Sequence, residues 1–240
     1  MSRLAHGLSA AWYAMYNDTA NVHPEKCIDM KKEAVIKVYD FYAPVYDLLF
    51  GLILNQGRKE VIELMNVQPH EKVLEVGIGT GLSLSYYPQH AQIFGIDISE
   101  KMLNKAKRRT TTQQMPHVVL SMMDAEIMAF AENTFDKIAL MHVYSVTPHP
   151  KKLLTETQRV CKPEGDIFLL NHFSDTNVGW LKTKFLQAVE RTIGFRLNCS
   201  MDDSHFCELS PHILQMTSTN IFGFWKIIHL KNRAEAYSAL

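Results

Sequence analysis

The nine residues Val73-Leu74-Glu75-Val76-Gly77-Ile78-Gly79-Thr80-Gly81 constrain this chain more than any other stretch. They read as a buried strand running straight into a tight glycine turn. A second apolar run, Ile93-Phe94-Gly95-Ile96, ends in Asp97. That acid follows Gly77 by about 20 residues, the spacing at which a βαβ unit brings a carboxylate to the ribose of a bound nucleoside. Residues without a β-carbon let the backbone approach a ligand and permit close helix–strand packing. An ionised Asp97 can accept hydrogen bonds from both ribose hydroxyls.

A dinucleotide is not the expected ligand. Its pattern, G-x-G-x-x-G, would need glycine where Leu82 stands; the chain has G-x-G-x-G instead. Glu75, just before the turn, would oppose a pyrophosphate but suits a ligand carrying ammonium or sulfonium charge.

Alternation of strands and helices predicts the fold class. Strands are expected at Lys72–Val76, Ile93–Ile96, Val118–Leu120, Phe135–Met141, Asp166–Phe173 and Lys226–Leu230. Between them, Leu82 to Pro88 reads as a helix. Ser99 N-caps a second helix that ends in Lys105, Lys107, Arg108 and Arg109, and Lys151–Val160 reads as a third, stopped by Pro163-Glu164-Gly165. The pattern implies an α/β, doubly wound, seven-stranded and mostly parallel sheet, its last pair antiparallel. Residues 1–65 read as an N-terminal helical arm and lid, broken near Pro44, and residues 66–240 as the core, with a substrate insertion near 173–212. Ser210-Pro211 reads as a helix start.

Composition excludes several classes. With 25 basic and 25 acidic residues, no global field favours nucleic acid. Four cysteines lack C-x-x-C pairing and read as reduced thiols of a cytoplasmic protein. Eleven histidines form no H-x-x-x-H or H-E-x-x-H pattern, so no metal is expected. No signal peptide is evident, and Pro44, Asp47 and Gly51 interrupt the greasiest window, Phe41 to Leu54.

The nine-residue string resembles motif I of the class I S-adenosylmethionine (SAM) dependent methyltransferases, and Gly95-Ile96-Asp97-Ile98-Ser99 resembles their acidic loop. The resemblance implies SAM as cofactor and S-adenosylhomocysteine as product. It implies a cofactor site made of Tyr39, Glu75, Gly77, Gly79, Thr80, Gly81, Asp97, Ile98, Met102, Asp124, Ala125, Met141 and His142. In it, Asp124 contacts the adenine amino group, Ala125 supplies a backbone amide, and Glu75 acts near the methionine part through water or an amide.

The flanks narrow the resemblance. Tyr39-Asp40-Phe41-Tyr42-Ala43-Pro44-Val45-Tyr46-Asp47 and Ile193-Gly194-Phe195-Arg196, with motif I, look like the bacterial phospholipid N-methyltransferases. These methylate phosphatidylethanolamine towards phosphatidylcholine, which implies a phospholipid substrate and peripheral contact with an anionic membrane surface. Independently, Trp180, Leu181, Phe185, Val189 and Ile193 recur at helical spacing beside Lys182, Lys184, Arg191 and Arg196. Such a helix suits acyl chains and a phosphate, with Trp180, Lys184, Arg191 and Arg196 as substrate-binding candidates, or packs on the core with its cations snorkelling. Displacement at the methyl carbon needs a neutral amine that then loses a proton. Tyr42, Tyr46, His142 and Tyr144 are the catalytic candidates for orienting it or relaying the proton, with His172 nearby in the pattern. Carbon methylation of a quinone-type acceptor and non-catalytic SAM binding are the alternative readings.

Overall fold

The computed structural model describes residues 36, 40, 46–172, 212–219 and 225–233. Helix α1 spans Tyr46–Met65 and opens two residues past Pro44, with Asp47 in its first turn where the helix dipole favours an acid. There follow β1 (Lys72–Val76), a 3₁₀ turn (Leu84–Tyr86), β2 (Gln92–Asp97), α2 (Glu100–Thr112), β3 (Val118–Met122) and β4 (Phe135–Met141). The order closes with α3 (Pro150–Val160), β5 (Cys161–His172), β6 (Ile213–Thr219) and β7 (Trp225–Lys231).

These strands make one seven-stranded sheet in the order β3-β2-β1-β4-β5-β7-β6. The first five strands in this order are mutually parallel; β7 pairs antiparallel with both β5 and β6. Strand parity divides the core in two. On one face Val73, Ile93, Ala139, Phe168 and Leu170 pack under Val61, Ile62 and Met65 of α1 and Leu103 of α2. On the other, Leu74, Val76, Ile138, Leu140, Ile167 and Leu169 pack under Leu153, Leu154 and Val160 of α3. Each such side chain contributes about 1.5–3 kcal/mol when fully buried, so both layers are needed to hold the sheet. The strand order reverses between β1 and β4, and the crevice beyond their carboxyl ends is where such sheets bind ligands.

Three local expectations differ from the structure. Only Leu84–Tyr86 is helical after the glycine turn, as a 3₁₀ turn, because Pro88 leaves no length for an α-helix. Pro163-Glu164-Gly165 does not separate helix from strand. β5 already begins at Cys161, paired with Phe135 across a register shift, and Glu164 takes a left-handed φ of 58°. Residues 213–219 after Ser210-Pro211 form strand β6, because β7 offers a free edge to pair with. The expected insertion near 173–212 lies outside the described residues, apart from His212.

Candidate active site

β1 delivers its glycine turn to the crevice. Gly77 N and Ile78 N both donate to Ile96 O, at 2.8 and 3.0 Å, so the turn is stitched to the end of β2. Gly77, Gly79 and Gly81 all have left-handed φ values, of 72°, 57° and 75°. A β-carbon on Gly79 would meet nothing within 4 Å, because that face opens on the cleft. One on Gly81 would come 2.8 Å from Leu84 Cδ1 and 3.2 Å from Ala106 Cβ, so this glycine seats α2 against the turn.

Asp97 ends β2 as the hub of this turn. Its Oδ2 accepts from Gly79 N and its Oδ1 from Ser99 N, both at 2.8 Å. An ionised carboxylate has about four acceptor positions, so two bonds leave capacity for ribose hydroxyls. Burial at the cleft floor raises the Asp97 carboxyl above its ordinary value, while the N–H groups of Ser99, Gly79 and Ile98 pull it back and Asp40 raises it further. Ser99 caps α2 as expected, accepting from Met102 N at 3.2 Å, and donates its own hydroxyl to Asp40 at 2.7 Å. Asp47 of α1 is fastened to the same turn. It accepts from Thr80 Oγ1 at 2.6 Å and pairs with Arg109 at 2.8 Å.

The cleft is completed by Ile96, Ile98, Met102, Met123 and Met141, by Asp124, Ala125 and Glu126 after β3, and by His142, Val143, Val146, Thr147 and Pro148 after β4. Apolar walls with a few placed acids suit a flat heterocycle and a ribose.

Glu75 lies elsewhere. Strand parity turns it onto the α1 face, 3% exposed, where the Ser83 hydroxyl donates to both its oxygens at 2.7 and 2.9 Å. Burial pushes its carboxyl from 4.5 up to about 7; the Ser83 and Tyr87 hydroxyls and the Arg58 guanidinium pull it back. It supports the turn from beneath and is not among the cleft-lining residues.

His142 has a strained backbone. Its φ is 63°, and its N–H donates to Leu170 O at 2.7 Å, so strand pairing holds the strain in place. Non-glycine residues in this conformation cost about 1–3 kcal/mol and gather at functional sites. Burial, Arg58 and His172 hold the imidazole well below its ordinary ionisation, so the ring is neutral. Its Nε2 is buried and has no hydrogen-bond partner among the described residues. Tyr144, two residues on, packs instead among Leu74, Leu140 and Leu153, at 1% exposure. The left-handed turn at His142 redirects the chain into the core, so Tyr144 is not part of the cleft lining.

The comparisons with known proteins agree with this geometry. Residues 74–169 match the family described as a methyltransferase domain. The phosphatidylethanolamine N-methyltransferase of Cereibacter sphaeroides is 33% identical over 175 residues, covering 72% of this chain and 85% of that protein. The chain belongs to the class I SAM-dependent methyltransferases. A demethylmenaquinone methyltransferase of Renibacterium salmoninarum is 29% identical over 172 residues, covering 69% of this chain and 70% of that one. Among solved structures, a SAM-dependent methyltransferase from Aquifex aeolicus superposes with a TM-score of 0.58 at 17% identity, covering 80% of this chain and 97% of that one. This last likeness concerns the fold alone.

As a methyltransferase the chain uses SAM, and the residues present fit that cofactor. Gly79 opens on the cleft, Asp97 keeps acceptor capacity towards it, and Asp124 lines it. Of the residues expected from sequence, Gly77, Gly79, Asp97, Ile98, Met102, Asp124, Ala125, Met141 and His142 line one cleft. Glu75, Thr80 and Gly81 shape the turn from behind it. Tyr46 is the first residue of α1. Tyr39, Tyr42, Trp180, Lys184, Arg191 and Arg196 lie outside the described residues. Sequence reasoning missed Ile96, Met123, Glu126, Val143, Val146, Thr147 and Pro148. Their only sequence signal was position, since each lies at or just past the carboxyl end of β2, β3 or β4. Among the described residues no group of His, Cys, Asp and Glu is arranged to hold a metal ion.

Proposed function

We propose that this methyltransferase transfers the SAM methyl group to the amine of phosphatidylethanolamine and its partly methylated intermediates, working at a membrane surface towards phosphatidylcholine. The observation that carries the reading is the 33% identity to a phosphatidylethanolamine N-methyltransferase across 85% of that protein's length. Among the described residues no helix is long and apolar enough to cross a membrane. Contact would therefore rest on segments such as the N-terminal 1–65 arm and lid and the 173–212 insertion, with Trp180, Lys184, Arg191 and Arg196 receiving the lipid.

SAM supplies an electrophilic methyl on sulfonium; the chain's own residues bind it, orient the acceptor and take up the proton. Asp97 holds the ribose, Asp124 the adenine amino group, and the apolar cleft walls exclude water. His142 is the proposed proton acceptor. A neutral imidazole in its Nδ1–H form presents Nε2 as a lone pair, which accepts the amine N–H and turns the nitrogen lone pair towards the methyl carbon. The lowered ionisation of His142 keeps that nitrogen unprotonated. Tyr42 and Tyr46 are proposed to flank the amine, where aromatic faces attract both sulfonium and methylated ammonium.

The second reading, carbon methylation of a quinone-type acceptor, has a specific support in the 29% identity to a demethylmenaquinone methyltransferase. The test incubates the protein with methyl-labelled SAM and phosphatidylethanolamine vesicles, then with a demethylated quinone, and identifies labelled products by mass spectrometry. Labelled mono-, di- or trimethylated head groups are expected. Label only on the quinone carbon would replace this reading with the second.

A further inference from the structure

The cleft contains a buried acid that nucleoside binding does not account for. Glu126 sits two residues past Asp124 on the loop after β3 and is 4% exposed. Its N–H donates to Asp124 Oδ1 at 2.9 Å, so one turn sets both acids. Its carboxylate reaches across to the loop between β4 and α3. There Oε1 accepts from the Thr147 hydroxyl and from His149 N, each at 2.9 Å, and Oε2 lies 2.9 Å from His149 Nδ1. His149 is the N-cap of α3, and its own side chain makes no cap bond. Glu126 thus meets the positive end of that helix as well as a hydroxyl and an imidazole. Burial of a carboxylate is tolerated only where donors surround it, so this contact defines one arrangement of the two loops.

The clamped loop forms part of the cleft wall. Val146 N and Thr147 N both donate to Val143 O at 3.1 Å, which folds the loop back on itself. Val146, Thr147 and Pro148 line the cleft from this turn, together with Asp124. His142 opens the same loop, where its N–H is held by β5.

We infer that Glu126 is a positioning residue for the methyl-transfer reaction. It ties the loop after β3 to the loop after β4, and so fixes the wall against which the cofactor's adenosine half is bound. It touches no reacting atom; it acts through Thr147 and His149. The inference rests on the family's cofactor use and not on the phospholipid reading.

The test is calorimetric binding of SAM, and separately of adenosine, to full-length protein carrying Glu126→Ala, Glu126→Gln, Thr147→Val or Glu126→Ala with Thr147→Val. Loss of a charged acceptor is expected to weaken SAM roughly tenfold or more in Glu126→Ala. Adenosine should weaken by the same factor, because the wall faces that half of the cofactor. Glu126→Gln keeps one acceptor for Thr147 and for His149 N, so it should return to within a few-fold of the wild type. Thr147→Val should weaken SAM a few-fold by itself and add nothing in the Glu126→Ala background. A folded Glu126→Ala protein that loses thermal stability yet binds SAM within twofold of the wild type would overturn the inference, as would full additivity of the two substitutions. Should Glu126→Ala fail to fold, unchanged SAM affinity in Thr147→Val overturns it equally, and weakened affinity in Thr147→Val supports it. No lipid enters these measurements, so their failure is separate from failure of the substrate assignment.

Discussion

Replacing Glu75 by glutamine should stabilise the protein, and only above a defined pH. The carboxyl is buried on the α1 face and its ionisation moves from 4.5 in the free side chain to about 7 in the fold. A group whose native value lies above its unfolded value binds its proton more tightly when folded. Folding is therefore unpenalised below about pH 4.5, grows costlier as pH rises towards 7, and carries the full penalty above it. Each tenfold displacement of an ionisation equilibrium is worth about 1.4 kcal/mol, so this one amounts to ~3 kcal/mol. Glutamine keeps the size and still accepts from the Ser83 hydroxyl that now bonds both carboxylate oxygens. The assay is urea unfolding of wild type and Glu75→Gln at several pH values between 4.5 and 8.5, compared at equal m. Because the amide does not titrate, the stability difference isolates the carboxyl. It should tilt towards the variant by ~3 kcal/mol across that window and then level off. Parallel profiles, with a constant difference, would show that burial does not raise the Glu75 carboxyl.

Two glycines of one turn should fail differently. Gly81→Ala places a methyl 2.8 Å from Leu84 Cδ1 in a left-handed backbone, and should cost about 2–4 kcal/mol in urea unfolding. Gly79→Ala meets no atom within 4 Å, so it should cost only about 1–2 kcal/mol of backbone strain while its methyl, standing in the cleft, weakens SAM in calorimetry. His142→Ala should lower kcat by roughly 10² or more and leave SAM affinity within a few-fold. Since burial, Arg58 and His172 hold the His142 ring neutral, the wild-type activity lost through its protonation should appear only well below pH 6.5; a rate profile breaking at the ordinary histidine value would contradict that environment.

What the sequence made legible follows from what fixes each feature. β1 and β4 fall at the expected residues because mostly apolar runs end there in turn signals. The motif residues Gly77, Gly79 and Asp97 were readable because backbone geometry and spacing place them. β6 was not, since Ile213–Thr219 carries only a weak alternation and owes its form to the partner edge of β7. The start of β5 was hidden because Pro163 and Gly165 signal a break that pairing with Phe135 overrides. Tyr144 is a catalytic candidate in the sequence, but its burial in the core is not legible there, because the left-handed φ at His142 has no sequence signature. Glu75 was read as facing the ligand because it precedes the turn, whereas strand parity decides its face. The contact of Glu126 with Thr147 and His149 joins two loops 21 and 23 residues apart, and no local pattern encodes it.

The central claim is that the crevice at the β1–β4 switch point holds SAM by its ribose through Asp97. Calorimetric titration of SAM into the wild type and Asp97→Ala, with circular dichroism as the check on folding, tests it most directly. The account predicts binding by the wild type and none measurable in a folded Asp97→Ala protein. Equal affinity in the two would contradict it.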